Sequence, residues 1–362
     1  MSLNNAFVGS FGLDIGDLSI KLIQLEKTNY FGKSNVFKIK EKRSISLPPG
    51  LIVNGEIQQP EMVRKKLLHI LGKDKSKEYK KIRSPWVVVD LPQPKTFIKM
   101  IEVDIPEKDL TEDDIKLNAK KHLPIDVDKS YLDWQIISKN KQTTSIIISA
   151  VEKNTANIYT YLLESVGLSP MVLEVEALST ARAMVTANKE YKGEARAILD
   201  LGATRSMLTI YDNVTVQFTT DLNFSGELLT TAITQRMKIK HLDAEKLKKE
   251  YGLSYNKKHP QYLKIVSGLS YNLIKEIQKS INFYKQHFDN TNPITHITMC
   301  GGVSYFKNLD KLITKKLKIE AKPGLAWKNL NNLSLEKENP DGLSYASAIG
   351  LALRAINETK KY

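Results

Sequence analysis

Apolar and polar positions near the start of the chain predict a β-hairpin. Residues 11–15 form one apolar run and residues 19–25 a second, with the turn-forming Gly16-Asp17-Leu18 between them. A similar unit returns far downstream. Residues 196–201 are followed by Gly202-Ala203-Thr204 and then 206–211; Asp212-Asn213 makes the next turn, before 214–219. The two units share a register. Leu13-Asp14-Ile15-Gly16 aligns with Leu199-Asp200-Leu201-Gly202, and the same offset pairs Leu22 with Leu208. Two such units point to an internal duplication and a two-lobed chain, not to a many-repeat solenoid.

Between the units, residues 86–91 read as a buried strand, broken by Pro92 and Pro94. Residues 97–103 alternate as a half-buried strand does. Residues 109–122 read as a polar helix ended by Leu123-Pro124, 145–151 as a strand, and 154–166 as a helix stopped by Gly167. The stretch 97–168 is thus expected to be a small α+β insertion. In the second half, helices are expected over 226–237, 243–251 and 307–317. The longest is expected over 267–288, where Leu273, Ile274, Ile277, Ile281, Tyr284 and Phe288 share one face. A strand is expected at 294–300, a polar loop at 326–342 and a last Ala-rich helix at 345–356.

Length and composition narrow the class. A chain of 362 residues is long for one core, so two domains are the prior. With 41% hydrophobic and 26% charged residues the chain resembles an ordinary globular protein. No apolar run reaches the roughly 18 residues of a membrane span, and no secretory pattern opens the sequence. A single cysteine, Cys300, excludes a disulfide framework, and the six histidines show no ligand spacing. A cytosolic location is expected. The net charge of +14 favours an anionic partner. It is spread over short clusters, at 64–66, 73–83, 246–249 and 315–318, as a solvated basic surface would be, and nucleic acid is not the expected partner.

The candidate chemistry begins on the first hairpin. A tight strand-turn-strand can aim backbone N–H groups at phosphate, and Gly16 permits close approach. Asp14 can hold Mg²⁺ through water, and Lys21 can neutralise phosphate charge. Asp200-Leu201-Gly202-Ala203-Thr204-Arg205 repeats the arrangement, and two such loops could clamp a polyphosphate; each alone could equally be a plain turn. Gly301-Gly302-Val303-Ser304 follows a strand and precedes a helix, where glycines admit a flat ring. Glu245 and Lys248 share a helix face, suited to ribose hydroxyls or to a surface ion pair. The small-residue helices around 176–181 and 345–350 allow close crossing, as a hinge or as ordinary packing. No Gx4GK[ST], no GxGxxG and no nucleophile–base constellation is present.

The order of these pieces resembles that of the actin-like ATPases, the superfamily of actin, Hsp70 and sugar kinases. The resemblance implies an α/β fold of two duplicated RNase H-like lobes, with ATP and Mg²⁺ as cofactors. It implies phosphate-1 at Asp14, Gly16, Asp17, Leu18 and Ser19, with Lys21 beside it, and phosphate-2 at Asp200, Gly202, Ala203 and Thr204. Adenosine contacts are implied at Glu245, Lys248, Gly301 and Gly302, and further cofactor contacts at Gly226 and Val303. Connecting helices are implied near Glu176 to Ala181 and Tyr345 to Gly350. Asp14 and Asp200 are the implied catalytic candidates and the Mg²⁺ positions, through water. No strong base stands out, so hydrolysis is expected to be slow at most.

Within that superfamily the chain is similar over 8–356 to the PilM family of type IV pilus assembly, itself related to FtsA. The resemblance rests on Phe11-Gly12-Leu13-Asp14-Ile15-Gly16 with Ser19-Ile20-Lys21, on Leu91-Pro92, Ile105-Pro106, Leu123-Pro124-Ile125 and Leu132-Asp133-Trp134, and on Gly167-Leu168-Ser169-Pro170 with Glu174-Val175-Glu176-Ala177. Phe224-Ser225-Gly226-Glu227 and Ala244-Glu245 extend it. It departs at Asp17-Leu18, where small hydroxylated residues are usual, which sets a negative charge near the expected phosphates. It departs again at Ser225, where a glycine is expected. The implied organisation is a first lobe (1–96 and 169–194), an inserted SHS2-like subdomain (97–168), a second lobe (195–344, with a small part at 236–266) and a C-terminal helix returning to the first lobe (345–362). The implied partner is the cytoplasmic N-terminal peptide of a PilN-like membrane protein, received in a groove between the first lobe and the insertion. Other inner-membrane pilus components and homo-oligomers are also implied, as is a peripheral position at the inner membrane, held through partners. The end of the sequence, Asn357-Glu358-Thr359-Lys360-Lys361-Tyr362, has no apolar face of the FtsA kind. The alternatives are an FtsA-like filament former and a sugar-kinase-type phosphotransferase.

Overall fold

The computed structural model describes residues 7–30, 33–139, 142–187, 189–330 and 334–358. Thr359 to Tyr362, on which most of the tail reading rests, thus lie outside the described residues. The chain divides into two compact units. One comprises Met1–Ala187, Trp327–Glu336 and Tyr345–Tyr362; the other comprises Asn188–Ala326 and Lys337–Ser344.

The first unit opens with β1 (Phe11–Ile15), β2 (Ser19–Tyr30) and β3 (Lys33–Ser46), a minimal hairpin β4 (Ile52–Val53) and β5 (Glu56–Ile57), and α1 (Pro60–Ile70). There follow β6 (Trp86–Leu91), β7 (Thr96–Val103), α2 (Glu112–His122), β8 (Ser130–Lys139), β9 (Thr144–Glu152), α3 (Lys153–Glu164), β10 (Ser169–Val175) and α4 (Glu176–Met184). The second unit carries β11 (Ala195–Leu201), β12 (Ser206–Asp212), β13 (Thr215–Leu222), α5 (Gly226–Met237), α6 (His241–Tyr251), α7 (Pro260–His287), β14 (Ile294–Cys300), α8 (Leu309–Leu317) and β15 (Glu320–Pro323). A short α9 (Leu335–Glu338) and α10 (Ala346–Glu358) complete the chain.

The duplication is visible in the topology. In the first unit the strands run β10-β6-β1-β2-β3, and in the second β15-β14-β11-β12-β13. In both, the first three strands are antiparallel neighbours, and the next two add in parallel beside the first. The register also repeats: Leu13 faces Leu22, and Leu199 faces Leu208. These are the positions that the sequence offset identified. Parallel strands need crossover helices, and those helices cover the sheets. In the first unit α1 and α3 bury Val63, Leu67, Tyr159 and Leu163 with Phe11, Leu13, Val87 and Val89. On the other face α10 lies along β1, with Val88 beneath Leu351 and Ala355.

Local chemistry fixes the helix ends. Thr111 and Asp114 form a reciprocal capping box at α2. That helix carries Glu112, Asp113 and Asp114 in its first turn and Lys120, Lys121 and His122 in its last, complementing the macrodipole. β7, β9 and β8, in that order, carry a separate core of Ile101, Val103, Ile146 and Ile148 against Ile115 and Ala119 of α2. Of the stretch 97–168, the part beyond β9 packs otherwise, because α3 belongs to the core of the first sheet.

The polar segment 326–342 is not a plain loop. It contains a 3-10 turn, Lys328–Leu330, and α9. Trp327 and Leu330 in it are fully buried. Asn329 Nδ2 donates to the carbonyls of Arg182 and Val185 at 2.8 and 2.6 Å, satisfying the end of α4.

Candidate functional site

In the first unit β1 and β6 run parallel, with Leu13 beside Val89. The next residues, Asp14 and Asp90, therefore end neighbouring strands, and both are buried. Lys21, which faces Asp14 across the hairpin, donates from Nζ to Asp14 Oδ2 at 3.1 Å. The loop itself is closed by Gly16 N–H donating to the Ser19 carbonyl at 3.0 Å, and the Leu18 carbonyl accepts from Leu47 N–H at 2.8 Å. A Cβ at Gly16 would meet only Ser19 O, at 3.4 Å, and Asp14 Oδ1, at 4.0 Å, so space remains over the turn.

Asp17 is placed differently from the expectation. Its carboxylate accepts from the backbone N–H groups of Asn54 and Gly55, at 3.2 and 3.0 Å, and is buried. Its charge is answered by the β4–β5 turn, so it anchors the loop and does not stand as a bare anion beside the site.

Asp90 was not a sequence candidate. Its carboxyl is pushed well above the usual range by burial first, then by the negative charge of Asp14 and Glu176, while a hydrogen bond with Ser347 acts the other way. Its Oδ2 has no hydrogen-bond partner. A carboxyl with a raised folded pKa stabilises the fold fully below its unfolded value, near 3.8, and loses that contribution as pH rises through the folded value. Asp90→Asn is therefore expected to stabilise the protein by about 1–2 kcal/mol at pH 7 in the absence of nucleotide and magnesium. The gain should vanish below pH ~4. Urea midpoints across pH check this, and a variant less stable than wild type at pH 7 refutes it.

In the second unit Asp200 ends β11 in the position equivalent to Asp14, but its parallel neighbour is Cys300. Cys300 is fully buried, as a small strand residue. Beside Asp200 one glycine is required sterically and its neighbour is not. Gly301 has φ +79°, and a Cβ there would lie 2.4 Å from both Asp200 Oδ1 and Leu201 O. Its N–H donates to the Leu343 carbonyl at 2.9 Å. Gly302 has open space where a Cβ would project, so the two glycines play different parts: one allows contact with Asp200 and the other leaves room above the turn.

Gly226 is closely surrounded. A Cβ would meet Val303 Cγ2 at 3.1 Å, Lys248 Nζ at 3.4 Å and Ala203 O at 3.5 Å. Its N–H donates to Gly202 O at 3.1 Å, and that of Glu227 to Ala203 O at 2.8 Å. Ser225, the departure from glycine, caps α5 by accepting from Leu228 N–H at 3.1 Å. The first donors of α5 are thus spent on the Gly202-Ala203 loop and the cap, which fixes that loop against the helix.

Lys248 is buried and donates to Gly226 O at 3.0 Å and to Thr230 Oγ1 at 2.8 Å, and it pairs with Glu245. Thr230 Oγ1 also donates to Glu245 Oε2 at 2.7 Å. Burial pushes the Glu245 carboxyl up, but the hydrogen bonds of Lys248 and Thr230 outweigh it and hold it below its ordinary value. Lys248 therefore positions Glu245, which leaves the carboxylate as the polar group of the pair with more exposure (28% against 10%). Thr230 is not among the expected site residues; its place one turn after Gly226 is the local signal for it.

The structure thus brings Asp200, Gly202, Ala203, Gly226, Glu245, Lys248, Gly301 and Val303 together within the second unit, and Asp14, Lys21, Gly16 and Ser19 within the first. Among the described residues no three His, Cys, Asp or Glu side chains converge to hold a metal ion. One or two carboxylates with open space fit a hydrated Mg²⁺ held mainly by phosphate and water, and do not form an all-protein cage. No described helix is long and apolar enough to cross a membrane.

The fold is shared with known structures. The chain is similar to the PilM-PilN type IV pilus biogenesis complex, with 21% identity, a TM-score of 0.80, and coverage of 97% of this chain and 99% of that one. It is similar to ethanolamine utilization protein EutJ from Carboxydothermus hydrogenoformans (13% identity, TM-score 0.55, coverage 95% and 88%). It is also similar to MreB5 of Spiroplasma citri bound to AMPPNP (12% identity, TM-score 0.54, coverage 97% and 98%). These likenesses show the actin-like ATPase fold. Residues 12–356 match the family described as type IV pilus assembly protein PilM, and the chain belongs to that family.

Proposed function

We propose that the protein is a nucleotide-binding scaffold of type IV pilus assembly that docks on the cytoplasmic N-terminal peptide of a PilN-like membrane protein. The observation that carries the reading is the likeness, over 97% of the chain, to a PilM-PilN complex. It sits at the cytoplasmic face of the inner membrane through that partner. The match to the PilM family over 12–356 disfavours the FtsA-like alternative. The nucleotide is ATP with Mg²⁺. A bound Mg–ATP supplies polyphosphate charge and a hydrated cation. In the first unit Asp14 would offer a carboxylate to the hydrated cation, and Lys21, 3.1 Å from Asp14, an ammonium to phosphate. In the second unit Asp200 would offer the equivalent carboxylate, the Gly202-Ala203-Thr204 loop backbone donors, Glu245 an acceptor for ribose hydroxyls, and Gly302 open space for the base.

Titration of labelled ATP with Mg²⁺ tests the nucleotide half. Asp14→Ala and Asp200→Ala are each expected to weaken binding roughly tenfold to a hundredfold, as the loss of a charge-assisted contact does. Wild type that binds no nucleotide at millimolar concentration refutes it. Retention of the protein by an immobilised N-terminal peptide of the membrane partner tests the docking half, and failure of wild type to be retained refutes that.

A further inference from the structure

Residues 64–83 carry nine Lys or Arg against two Asp or Glu, a net +7 in a stretch that supplies half of the chain's +14. The segment spans the last turns of α1 and the loop that leads into β6. It is held firmly. Lys73 N–H donates to Leu68 O, and Ile82 N–H to Leu71 O, each at 2.9 Å. Buried Arg43 clamps it from β3, donating from Nη1 to Ile70 O at 2.7 Å and from Nη2 to Lys80 O at 2.8 Å. Gly72, at φ +64°, lets the returning loop pass so closely that a Cβ would lie 2.6 Å from the carbonyl oxygens of Tyr79 and Lys80.

Both carboxylates of the segment are turned away from its lysines. Asp74 Oδ2 lies 2.8 Å from His69 Nδ1, and Glu78 Oε2 lies 3.1 Å from His69 Nε2. Lys73 is spent on the Val166 carbonyl at 2.7 Å, and Arg64 on Glu61. Lys75, Lys77, Lys80, Lys81 and Arg83 remain exposed, and among the described residues none of them is in an ion pair. Of the segment's two rings, Tyr79 is contacted by Arg43 at 5.1 Å and by His69 edge-on at 5.5 Å, and His69 is held between Asp74 and Glu78. A surface that binds single-stranded nucleic acid needs rings on which bases can stack, and here both rings are engaged within the segment and by Arg43. What remains is a rigid set of exposed point charges, mostly lysine, with no stacking platform and no reading head. That chemistry matches a field of phosphate headgroups.

We propose that the exposed basic loop over 72–83 is a docking surface for anionic phospholipid, through which the first lobe contacts the bilayer directly. The inference rests on the proposed position at a membrane and goes beyond it, because it gives this chain a lipid contact of its own beside the one made through its partner. The clamp by Arg43 and the His69 cluster pre-organise the loop, so little ordering accompanies docking.

The test is co-sedimentation of the full chain with phosphatidylcholine vesicles, with and without phosphatidylglycerol. Binding is expected only with phosphatidylglycerol, and is expected to fall as salt rises. At about fivefold per basic residue near the surface, Lys75→Gln, Lys77→Gln and Lys81→Gln together should weaken it about a hundredfold. The same charge removed elsewhere, by Lys264→Gln, Lys311→Gln and Lys315→Gln, should leave it within a few-fold. Absence of binding to phosphatidylglycerol vesicles, or equal losses in the two triple variants, overturns the proposal. Tighter binding to RNA than to vesicles at equal phosphate, with the same loop dependence, overturns it in favour of nucleic acid. Peptide retention is measured in parallel. A loop variant that keeps the peptide and loses the vesicles supports the proposal, whereas wild type that fails to hold the peptide strikes the proposed partner and not the lipid surface.

Discussion

Glu174→Gln is expected to destabilise the protein by about 3 kcal/mol or more at neutral pH, since it removes the anion from a buried ion cluster. Glu174 lies on β10 with its side chain fully buried. Its Oε1 accepts from Arg182 Nη2 at 2.6 Å and its Oε2 from Arg182 Nη1 at 2.7 Å, while Arg354 Nη1 reaches Oε1 at 2.5 Å. Arg182 comes from α4 and Arg354 from α10, and Arg182 also donates to Gly350 O at 3.1 Å. One carboxylate therefore ties a strand to the two helices that cross it, and two guanidinium groups lose their counter-charge when it is neutralised. Burial pushes the Glu174 carboxyl up, but the hydrogen bonds and charges of Arg182 and Arg354 outweigh it, and the group is held below its usual 4.5. With a depressed folded pKa, its contribution is present above the unfolded value and is lost as pH falls through the folded one. The gap between wild type and variant should thus be full at pH 7 and shrink below pH ~4.5. Urea midpoints at the two ends of that range decide the matter; a gap that does not change with pH assigns the cluster a packing role only.

The local half of this architecture is readable from the chain, and the long-range half is not. The paired hairpins and their shared register follow from alternation over a few residues, which is why one offset matches Leu13 to Leu199 and Leu22 to Leu208, the residues that face each other in the two hairpins. The region 26–85 escaped because its main strand, β3, is rich in Lys and Arg and buries one of them, Arg43. A buried cation that serves backbone carbonyls leaves no apolar signature. Trp327 was missed for a related reason: one fully buried ring in a polar stretch has no period.

The candidate site divides in the same way. Asp14 and Asp200, near the ends of β1 and β11, and the glycines of the turns that follow belong to local patterns and were legible. Asp90 was not, because its meaning comes from a parallel pairing with a strand far away in sequence. The charge of Asp17 suggested a clash with phosphate, and only the distant Asn54-Gly55 turn shows where that charge is satisfied. Gly226 read as a ligand contact from its local setting, and the long-range contacts add that its N–H donates to Gly202 and that Val303, Lys248 and Ala203 close around it. For Asp17 and Gly226 the local sequence marked the position, and for all three a contact distant in sequence shows what the side chain or its absence touches.

The same contrast between sequence and packing yields the second large effect. Gly350 sits in the Ala-rich α10, where Ala is the better helix former by about 1 kcal/mol. On propensity alone Gly350→Ala should stabilise. The packing predicts the reverse, because a Cβ at 350 would lie 1.8 Å from the carbonyl oxygen of Ser179 on α4, and 2.5 Å from its carbon. On its other side α10 is pressed against β1, where a Cβ at Gly12 would lie 2.5 Å from Ala352 N and 2.6 Å from Ala348 O. The small residues that lined both helices in the sequence, among them Ala177, Ser179, Ala183, Ala348 and Ala352, are at most 1% exposed and form this crossing. The helix has no room to retreat from one neighbour without striking the other. Gly350→Ala is therefore expected to cost about 3 kcal/mol or more, a fall in Tm of about 4 °C or more for a chain of this length. Gly268→Ala supplies the opposite sign. Gly268 lies within α7, is exposed, and has nothing within 4 Å of a Cβ, so its replacement should follow propensity and stabilise by about 0.5–1 kcal/mol. Thermal melts of the two variants beside wild type give the comparison, and two shifts of the same sign would refute the crossing as the reason for glycine at 350.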